Sequence, residues 1–378
     1  MCVRRAEARD IDDLAALESR CFSTDRLSRR SLRDLMRSPT AILLVAELGG
    51  RPDSIASVIG DALVLFRKGT AAARLYSIAV APEARGVGAA ARLLESCERL
   101  AYEAGRIQLR LEVGVANVAA RALYRRAGYR EIASLPAYYE DGSDALRMTK
   151  LLRPLGHGPD APPYYEQTTD FTCGPACLMM ALAHFVPGYA PDPLDEVRLW
   201  REATMIFMSS GLGGCGPYGM AVALAGRGLA VEIHVSRAGD LLLQTVASEE
   251  KRRVMRLAQQ DFRKRAQQLG IPVRHRRCSV AALARRLRGG ALATLLISGN
   301  RMFAKRVPHW VLAYAADDDH VMIHDPWVEG ERLESATDAV AIPIPFAELD
   351  RMWHWGKSGL RAMVLVEGPR ASRTEDDR

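Results

Sequence analysis

A chain of 378 residues is too long for one ordinary hydrophobic core, so two domains are expected. Apolar residues make up 48 % and charged residues 26 %, the usual mix for a globular protein in water. No run of about eighteen uncharged apolar residues occurs, so a membrane span is not expected. The formal charge of +7 is concentrated: residues 245–290 hold 13 Lys and Arg against 3 Asp and Glu, leaving the remainder slightly acidic. A solvated helical face is the usual meaning of such a run. The sharper reading is a docking surface for an acidic peptide; nucleic acid is not expected, because no stacking aromatics interleave the basic residues. Seven cysteines, odd in number and scattered, do not read as a disulfide framework. Met1 to Arg5 leads into an acidic stretch rather than an apolar signal segment, and a reducing cytoplasm fits these features.

In chain order, the pattern predicts helices over 10–20 and 28–37, then extended runs at 41–47, 55–66 and 74–80. A helix follows over about 87–104, where Leu93, Leu94, Cys97, Leu100 and Ala101 form a stripe at three-to-four spacing. A strand at 107–113, a helix at 118–127 stopped by Gly128, and a strand from 129 complete the first half. Residues 153–163 carry four prolines and two glycines and can continue neither a helix nor a central strand. The expected division is a first domain over 1–153, a linker over 154–163 and a second domain over 164–368. The charged residues 369–378 read as a disordered tail. In the second half a helix over 175–186 comes first, a largely helical region follows, and apolar strands occupy 291–297, 309–316 and 320–326.

Between the strand ending near Val80 and the helix from 87 lies Arg85-Gly86-Val87-Gly88-Ala89-Ala90. Glycines at a strand-to-helix turn let backbone N–H groups approach an anion, and the helix start adds its positive dipole end. A pyrophosphate suits that geometry, although alone such a turn is more often only a turn. Beyond it come Leu109-Arg110-Leu111-Glu112-Val113, Asn117, Ala122-Leu123-Tyr124 and Ala127-Gly128-Tyr129, then Tyr138-Tyr139 and Asp141-Gly142. With these motifs in order, residues 3–152 resemble the GNAT acetyltransferases, specifically the ribosomal-protein alanine N-acetyltransferase branch.

The resemblance implies direct acetyl transfer from acetyl-CoA to the amine of a peptide or protein. It assigns acetyl-CoA binding to Ile78, Val80, Arg85, Gly86, Val87, Gly88, Ala89, Ala90 and Asn117. It makes Glu112 the base that deprotonates the amine and Tyr124 the acid that protonates the departing thiolate. Taken by themselves, Glu112 reads as a solvent-facing strand residue, Tyr124 as a core aromatic, and Asn117 equally as a helix cap. Ala89 stands where the family's loop often carries a basic or polar residue.

In the second half, Gln167-Thr168-Thr169-Asp170-Phe171-Thr172-Cys173-Gly174-Pro175 precedes an apolar helix. Pro175 suits a first helical turn, so Cys173 falls at or just before the helix start, where the dipole favours a thiolate. Gln167, six residues upstream, is close enough for its amide to donate to an oxyanion beside the sulfur. For a cysteine taken at random, a small buried hydrophobe is the commoner reading. A nucleophilic cysteine needs a base, and His309 opens the strand Pro308-His309-Trp310-Val311-Leu312.

The next strand ends His324-Asp325-Pro326-Trp327, and Asp317-Asp318-Asp319 makes the turn between them. Centred on Asp318, the hairpin sets His309 opposite Trp327, with Asp325 its diagonal neighbour about 7 Å away and His324 on the other face. A slip of one residue reverses that choice. Cys177 is expected to face the core and Cys215 to be structural in a tight turn. His184 and His234 read as ordinary histidines. No Cys or His pairs carry zinc-ligand spacing, so no metal is expected.

The order cysteine, histidine, carboxylate, with these motifs, resembles papain-like cysteine peptidases, above all the bacteriocin-processing double-glycine-leader peptidases. That likeness spans about 162–367, and it implies a peptidase with Cys173, His309, Asp325 and Gln167 in its site. The basic 245–290 segment then reads as a helical insertion. The fold class expected is α/β and α+β: an N-terminal GNAT fold followed by a papain-like fold, joined in a bifunctional enzyme. Two other readings remain: one domain inactive and serving to bind peptide, or the cysteine domain passing its acyl group to an amine.

Overall fold

The computed structural model describes residues 1–22, 26–48, 57–152, 161–208, 211–299, 302, 307–328 and 339–370. The chain divides into two compact units, Met1–Pro154 and Leu155–Arg378.

The first unit runs β1 (Cys2–Arg5), α1 (Ile11–Cys21), α2 (Arg29–Arg37), β2 (Ala41–Leu48), β3 (Ser57–Phe66), β4 (Ala72–Val80), α3 (Ala89–Glu103), β5 (Gln108–Gly114), α4 (Val118–Arg126), β6 (Arg130–Leu135) and β7 (Ala145–Leu151). Its seven-stranded sheet has the order β1-β2-β3-β4-β5-β7-β6. The α3 stripe buries Leu93, Leu94, Cys97 and Ala101 among Ala62, Val64 and Leu111, as the spacing predicts. Two strands went unread in the sequence: β1, four residues ending in two arginines, and β7, inserted between β5 and β6. β1 pairs with β2 about 40 residues on, while β7 pairs both with its chain neighbour β6 and with the more distant β5, and no local pattern sets that insertion.

One feature of this sheet positions a site. β4 and β5 are its parallel pair, and they pair only at Ala72–Gln108, Ala73–Leu109 and Arg74–Arg110. Beyond Arg74 and Arg110 the strands part, β4 continuing to Val80 and β5 to Gly114. An irregularity between Leu63 and Val64 on the β3–β4 ladder bends β4 where the parting begins.

The second unit runs α5 (Cys173–Phe185), α6 (Pro193–Ala203), β8 (Phe207–Met208), β9 (Gly211–Leu212), α7 (Pro217–Ala225), β10 (Leu229–Val235), α8 (Glu249–Gln268), β11 (Val273–Arg274), α9 (Val280–Arg288), β12 (Leu292–Ser298), β13 (Pro308–Ala316), β14 (His320–His324), β15 (Ile342–Pro345), α10 (Phe346–Met352) and β16 (Ala362–Pro369). The main sheet has the order β11-β10-β16-β12-β13-β14-β15. On one face Leu178 of α5, Met220 of α7 and Met255 of α8 meet Val231, Leu296 and Leu312. On the other, Leu283 and Leu287 of α9 and Leu349 of α10 meet Leu295, Val311, Ile323 and Leu365.

The region after α5 is less helical than expected. β10 lies inside it, its Leu229, Val231, Ile233 and Val235 alternating with Ala230, Glu232 and His234 as a strand requires. The tail also begins later than expected. Pro369 pairs with Leu229, and the Arg370 N–H donates to the Gly228 carbonyl at 2.7 Å. Residues 371–378, and 153–160 of the expected linker, lie outside the described residues.

Candidate active sites

In the first unit the loop Arg85–Gly88 is exposed, and Gly86 and Gly88 have φ of +85° and +84°. A Cβ at either would meet nothing within 4 Å, so their glycine identity answers to backbone conformation rather than crowding. Gly88 is the N-cap of α3 and offers no side-chain cap. The first-turn N–H groups of α3 therefore stay available to an anion, with the helix dipole behind them. Ile78 and Val80 lie half-buried on the part of β4 that has left β5. These residues fit the diphosphate and the pantetheine arm of acetyl-CoA, the first by backbone donors and the second by an open strand edge beside apolar side chains. Asn117 serves as the N-cap of α4, its Oδ1 accepting from the Ala120 N–H at 3.1 Å.

Glu112 stands on β5 two residues past the last β4–β5 pair, at the mouth of the parting. It is not the solvent-facing residue that the strand pattern alone allows. Its side chain is 5 % exposed, Oε2 accepts from Arg74 Nε at 3.1 Å, and Arg147 Nε lies 3.7 Å from Oε1. Arg147 faces it directly across the β5–β7 ladder. Arg74 also donates through Nη2 to the Tyr138 hydroxyl at 3.0 Å. Two guanidinium groups thus hold Glu112 and link it to the Tyr138-Tyr139 segment. Tyr124 is buried on α4; burial, with Cys97 and Tyr139 nearby, pushes its phenol well above its ordinary range, so it remains a proton donor.

In the second unit Cys173 is the first residue of α5. The N-cap, Thr172, gives no side-chain cap; its hydroxyl donates instead to the Thr169 carbonyl at 3.1 Å. The amides of the first turn are left to other acceptors. His309 opens β13 and is buried. Its Nε2 lies 2.7 Å from Asp325 Oδ1, and Cys173 is near enough to act on the ring electrostatically. Asp325 is fully buried, and the same oxygen accepts from the Trp327 N–H at 3.0 Å. Burial works against the imidazolium, yet the charge and hydrogen bond of Asp325, aided by Cys173, lift His309 from 6.5 to about 10. The ring is therefore biased toward imidazolium beside the Cys173 sulfur.

The β13–β14 hairpin explains how His309 finds Asp325. The turn closes at Asp317 and His320, with the Asp317 N–H bonded to the His320 carbonyl at 3.0 Å. Near that turn Ala316 pairs with Val321 and Ala315 with Met322, the register that is one residue away from the expected one. A bulge between Ala313 and Ala315 then restores the expected register, Ala313 with Ile323 and Leu312 with His324. The slip at the turn is cancelled before the strands reach the site. His324 is left out of it: its Nδ1 accepts from the Ala341 N–H at 2.9 Å, and its Nε2 donates to the Pro162 carbonyl at 2.8 Å.

Cys173 and His309 border a cavity of about 680 Å³ whose walls include Phe171, Met205, Leu212, Leu242, Trp310 and Trp327. Gln167 is not among the residues lining it. Its Nε2 donates to the Thr169 carbonyl at 2.7 Å, while its Oε1 is buried without a partner.

Three further residues support the site, and only Cys215 among them is singled out by the sequence, as structural in a tight turn. Glu196 of α6, fully buried, accepts from Tyr165 Oη, Thr168 N and Thr168 Oγ1 at 2.8–2.9 Å and fixes the strand of chain leading to Cys173. Tyr164 donates to the Asp325 carbonyl at 3.0 Å. Cys215 lines the same cavity as Cys173; its carbonyl accepts from Trp310 Nε1 at 3.0 Å, and a Cβ on Gly174 would lie 3.1 Å from its Cβ. Cys177 is fully buried, as expected of a core residue.

Residues 162–367 match the family described as Peptidase_C39 like, and residues 7–152 match the acetyltransferase (GNAT) domain. An uncharacterized N-acetyltransferase of Methanocaldococcus jannaschii is 34 % identical over 160 residues, 42 % of this chain and 96 % of its own. A putative ribosomal protein bS18-alanine N-acetyltransferase of Bacillus subtilis is 31 % identical over 147 residues, 39 % and 92 % of the two chains. Among solved structures, the ribosomal-protein-S18-alanine N-acetyltransferase from Escherichia coli is 24 % identical, with a TM-score of 0.35, over 41 % of this chain and 96 % of that one. Among the described residues, no helix is long and apolar enough to cross a membrane.

Proposed function

Since the chain belongs to the Peptidase_C39 like family through its second unit and carries a GNAT acetyltransferase domain in its first, we propose that one polypeptide both cleaves a peptide and acetylates an amine. The observation that carries the cleavage half is His309, bonded to Asp325 at 2.7 Å, sharing the wall of one apolar-lined cavity with Cys173.

In cleavage, the Cys173 thiolate adds to the scissile carbonyl and the oxyanion is met by the uncapped amides at the start of α5. Gln167 adds a side-chain donor, since its nitrogen bears a second proton beyond the one given to Thr169. The His309 imidazolium protonates the leaving amine, and the neutral imidazole then takes a proton from the water that releases the acyl group. Asp325 holds the ring in place and supports its charge.

In acetylation, acetyl-CoA supplies an activated thioester, and Arg85–Ala90 with Ile78 and Val80 would hold it. The acceptor is the amine of a peptide or protein, as the names of the bacterial relatives say of those proteins. Glu112, held in place by Arg74 and Arg147, draws the acceptor ammonium to the mouth between β4 and β5 and receives its proton. Tyr124 gives its proton to the leaving thiolate.

Cleavage creates a new α-amine, and a tethered acetyltransferase meets it at the millimolar effective concentrations of short linkers. The test is mass spectrometry of a peptide library incubated with the protein, with and without acetyl-CoA. New N-termini that vanish in Cys173→Ala, and acetylated termini that vanish in Glu112→Gln, are the expected result. Termini that persist in Cys173→Ala would sink the cleavage half.

A further inference from the structure

The basic stretch 245–290 does not present its charge evenly. Arg274 and Arg286 lie 2.7 and 3.5 Å from the Glu232 carboxylate, and Arg277 lies 3.5 Å from Asp350. Among the described residues, Arg276 and Arg285 have no ion pair. Together with Arg277, Arg286 and His234 they line a second cavity of about 430 Å³. It lies over the row His234–Met363–Leu295, on the face of the sheet that α9 covers.

Two further observations mark this cavity as a built anion site. α9 begins at its wall: the Ser279 hydroxyl caps the Ala282 N–H at 3.2 Å, and the other first-turn amides carry the positive end of the nine-residue helix. His234, 8 % exposed, lines the cavity with both ring nitrogens buried and making no hydrogen bond; the nearest acid, Glu232 Oε1, is 3.2 Å from Nε2. A buried imidazole with no hydrogen bond at either ring nitrogen is rare unless something completes it. The cavity offers guanidinium forks, helix amides and an imidazole, but no Phe, Tyr or Trp ring on which a base could stack, and its apolar side chains are Met363, Ala282 and Cys278.

We propose that this pocket binds a phosphoryl dianion, as inorganic phosphate or a small phosphate monoester, through Arg276, Arg285, His234 and the start of α9. Guanidinium forks match phosphate oxygens two at a time, which a lone carboxylate exploits less fully. This reading is independent of the chemistry proposed at Cys173.

The experiment titrates the full chain by calorimetry with inorganic phosphate and with glycerol 3-phosphate, against succinate and against sodium chloride at equal ionic strength. Saturable binding of either phosphate with Kd below about 1 mM is expected, with none for the chloride control. Tighter binding of the ester than of phosphate would make a monoester the ligand; the reverse would make it the free ion. The double variant Arg276→Gln/Arg285→Gln should weaken binding at least tenfold, on the order expected for charge-assisted hydrogen bonds, while its melting temperature without ligand stays unchanged. The ring-proton resonances of His234 should shift during the same titration in the native chain, a readout that needs no variant to fold. A response that chloride reproduces, a double variant that binds as tightly as the native chain, or succinate binding as well as phosphate would overturn the proposal. The last result would point to acidic peptide instead.

Discussion

Arg85–Ala90 and the group Cys173, His309 and Asp325 would build the two proposed sites in opposite ways. The first is one continuous stretch, an exposed loop running into the start of α3, whose shape is set by two glycines at positive φ and whose donors are backbone amides. The second gathers a helix start and two strands, is buried, and depends on charges that stabilise one another where water is excluded. The contrast teaches how each should fail. A cradle of amides loses its ligand by degrees, because every donor is separate. A coupled thiol, imidazole and carboxylate fails as a unit.

The largest expected effect follows from that coupling. Cys173→Ala should lower peptide cleavage by about 10⁴-fold or more while leaving acetylation of a preformed amine within about twofold. Steady-state assays of the two reactions on one preparation would check this. Asp325→Asn should cost about 10²–10⁴-fold in cleavage kcat. It should also move the alkaline limb of the pH profile down from about 10, since Asp325 is what lifts His309 there.

The same lift has a sign for stability. The fold holds a proton on His309 between 6.5 and about 10 that the unfolded chain has released. The stabilisation is complete below 6.5 and lost as pH rises through about 10. Urea midpoints for unfolding of the unit Leu155–Arg378 should therefore fall over that window in the native chain, and fall less in Asp325→Asn.

In the first unit, Glu112→Gln should lower acetyl-transfer kcat about 10²-fold, with Tyr124→Phe smaller, and neither should alter cleavage of a peptide with a blocked terminus. If Glu112→Gln acts on the KM of the amine alone, Glu112 attracts the acceptor without taking its proton. The smallest effects come from the backbone. Gly88→Ala places a side chain at φ +84°, a strain of about 1–2 kcal/mol, and should raise the KM for acetyl-CoA roughly tenfold with little change in kcat. Gly174→Ala crowds Cys215 at 3.1 Å and should cost about 1–3 kcal/mol, seen as a melting point lower by a few degrees and as slower cleavage. Should Gly88→Ala abolish acetylation outright, the graded failure expected of the cradle would be wrong.

Local pattern in the sequence was enough for α1, α2, α3, the cradle between β4 and α3, and Cys173 at the start of α5, because each is decided by residues within a turn or two. The alternation in β10 was equally local but easily overlooked beside the helices around it. The hairpin was half legible: its strands and their approximate register follow from the turn, yet the bulge between Ala313 and Ala315 that brings His309 to Asp325 leaves no mark in the composition. The same holds for Glu112, which reads as a surface residue until Arg74 and Arg147 close on it from neighbouring strands.

By itself, then, the amino-acid order determined where the chain changes direction and marked the candidate residues for the proposed chemistry, since spacing and dihedral preference act over short distances. Only the tertiary structure decided which groups share a proton or a charge. Gln167 turned onto Thr169, Cys215 brought to the thiol cavity, and His234 left unbonded beside Arg276 and Arg285 are outcomes of packing between segments tens of residues or more apart in the chain. Ionic and hydrogen-bond energies depend on separations of a few ångströms and on the exclusion of water, and both are set when the sheets close.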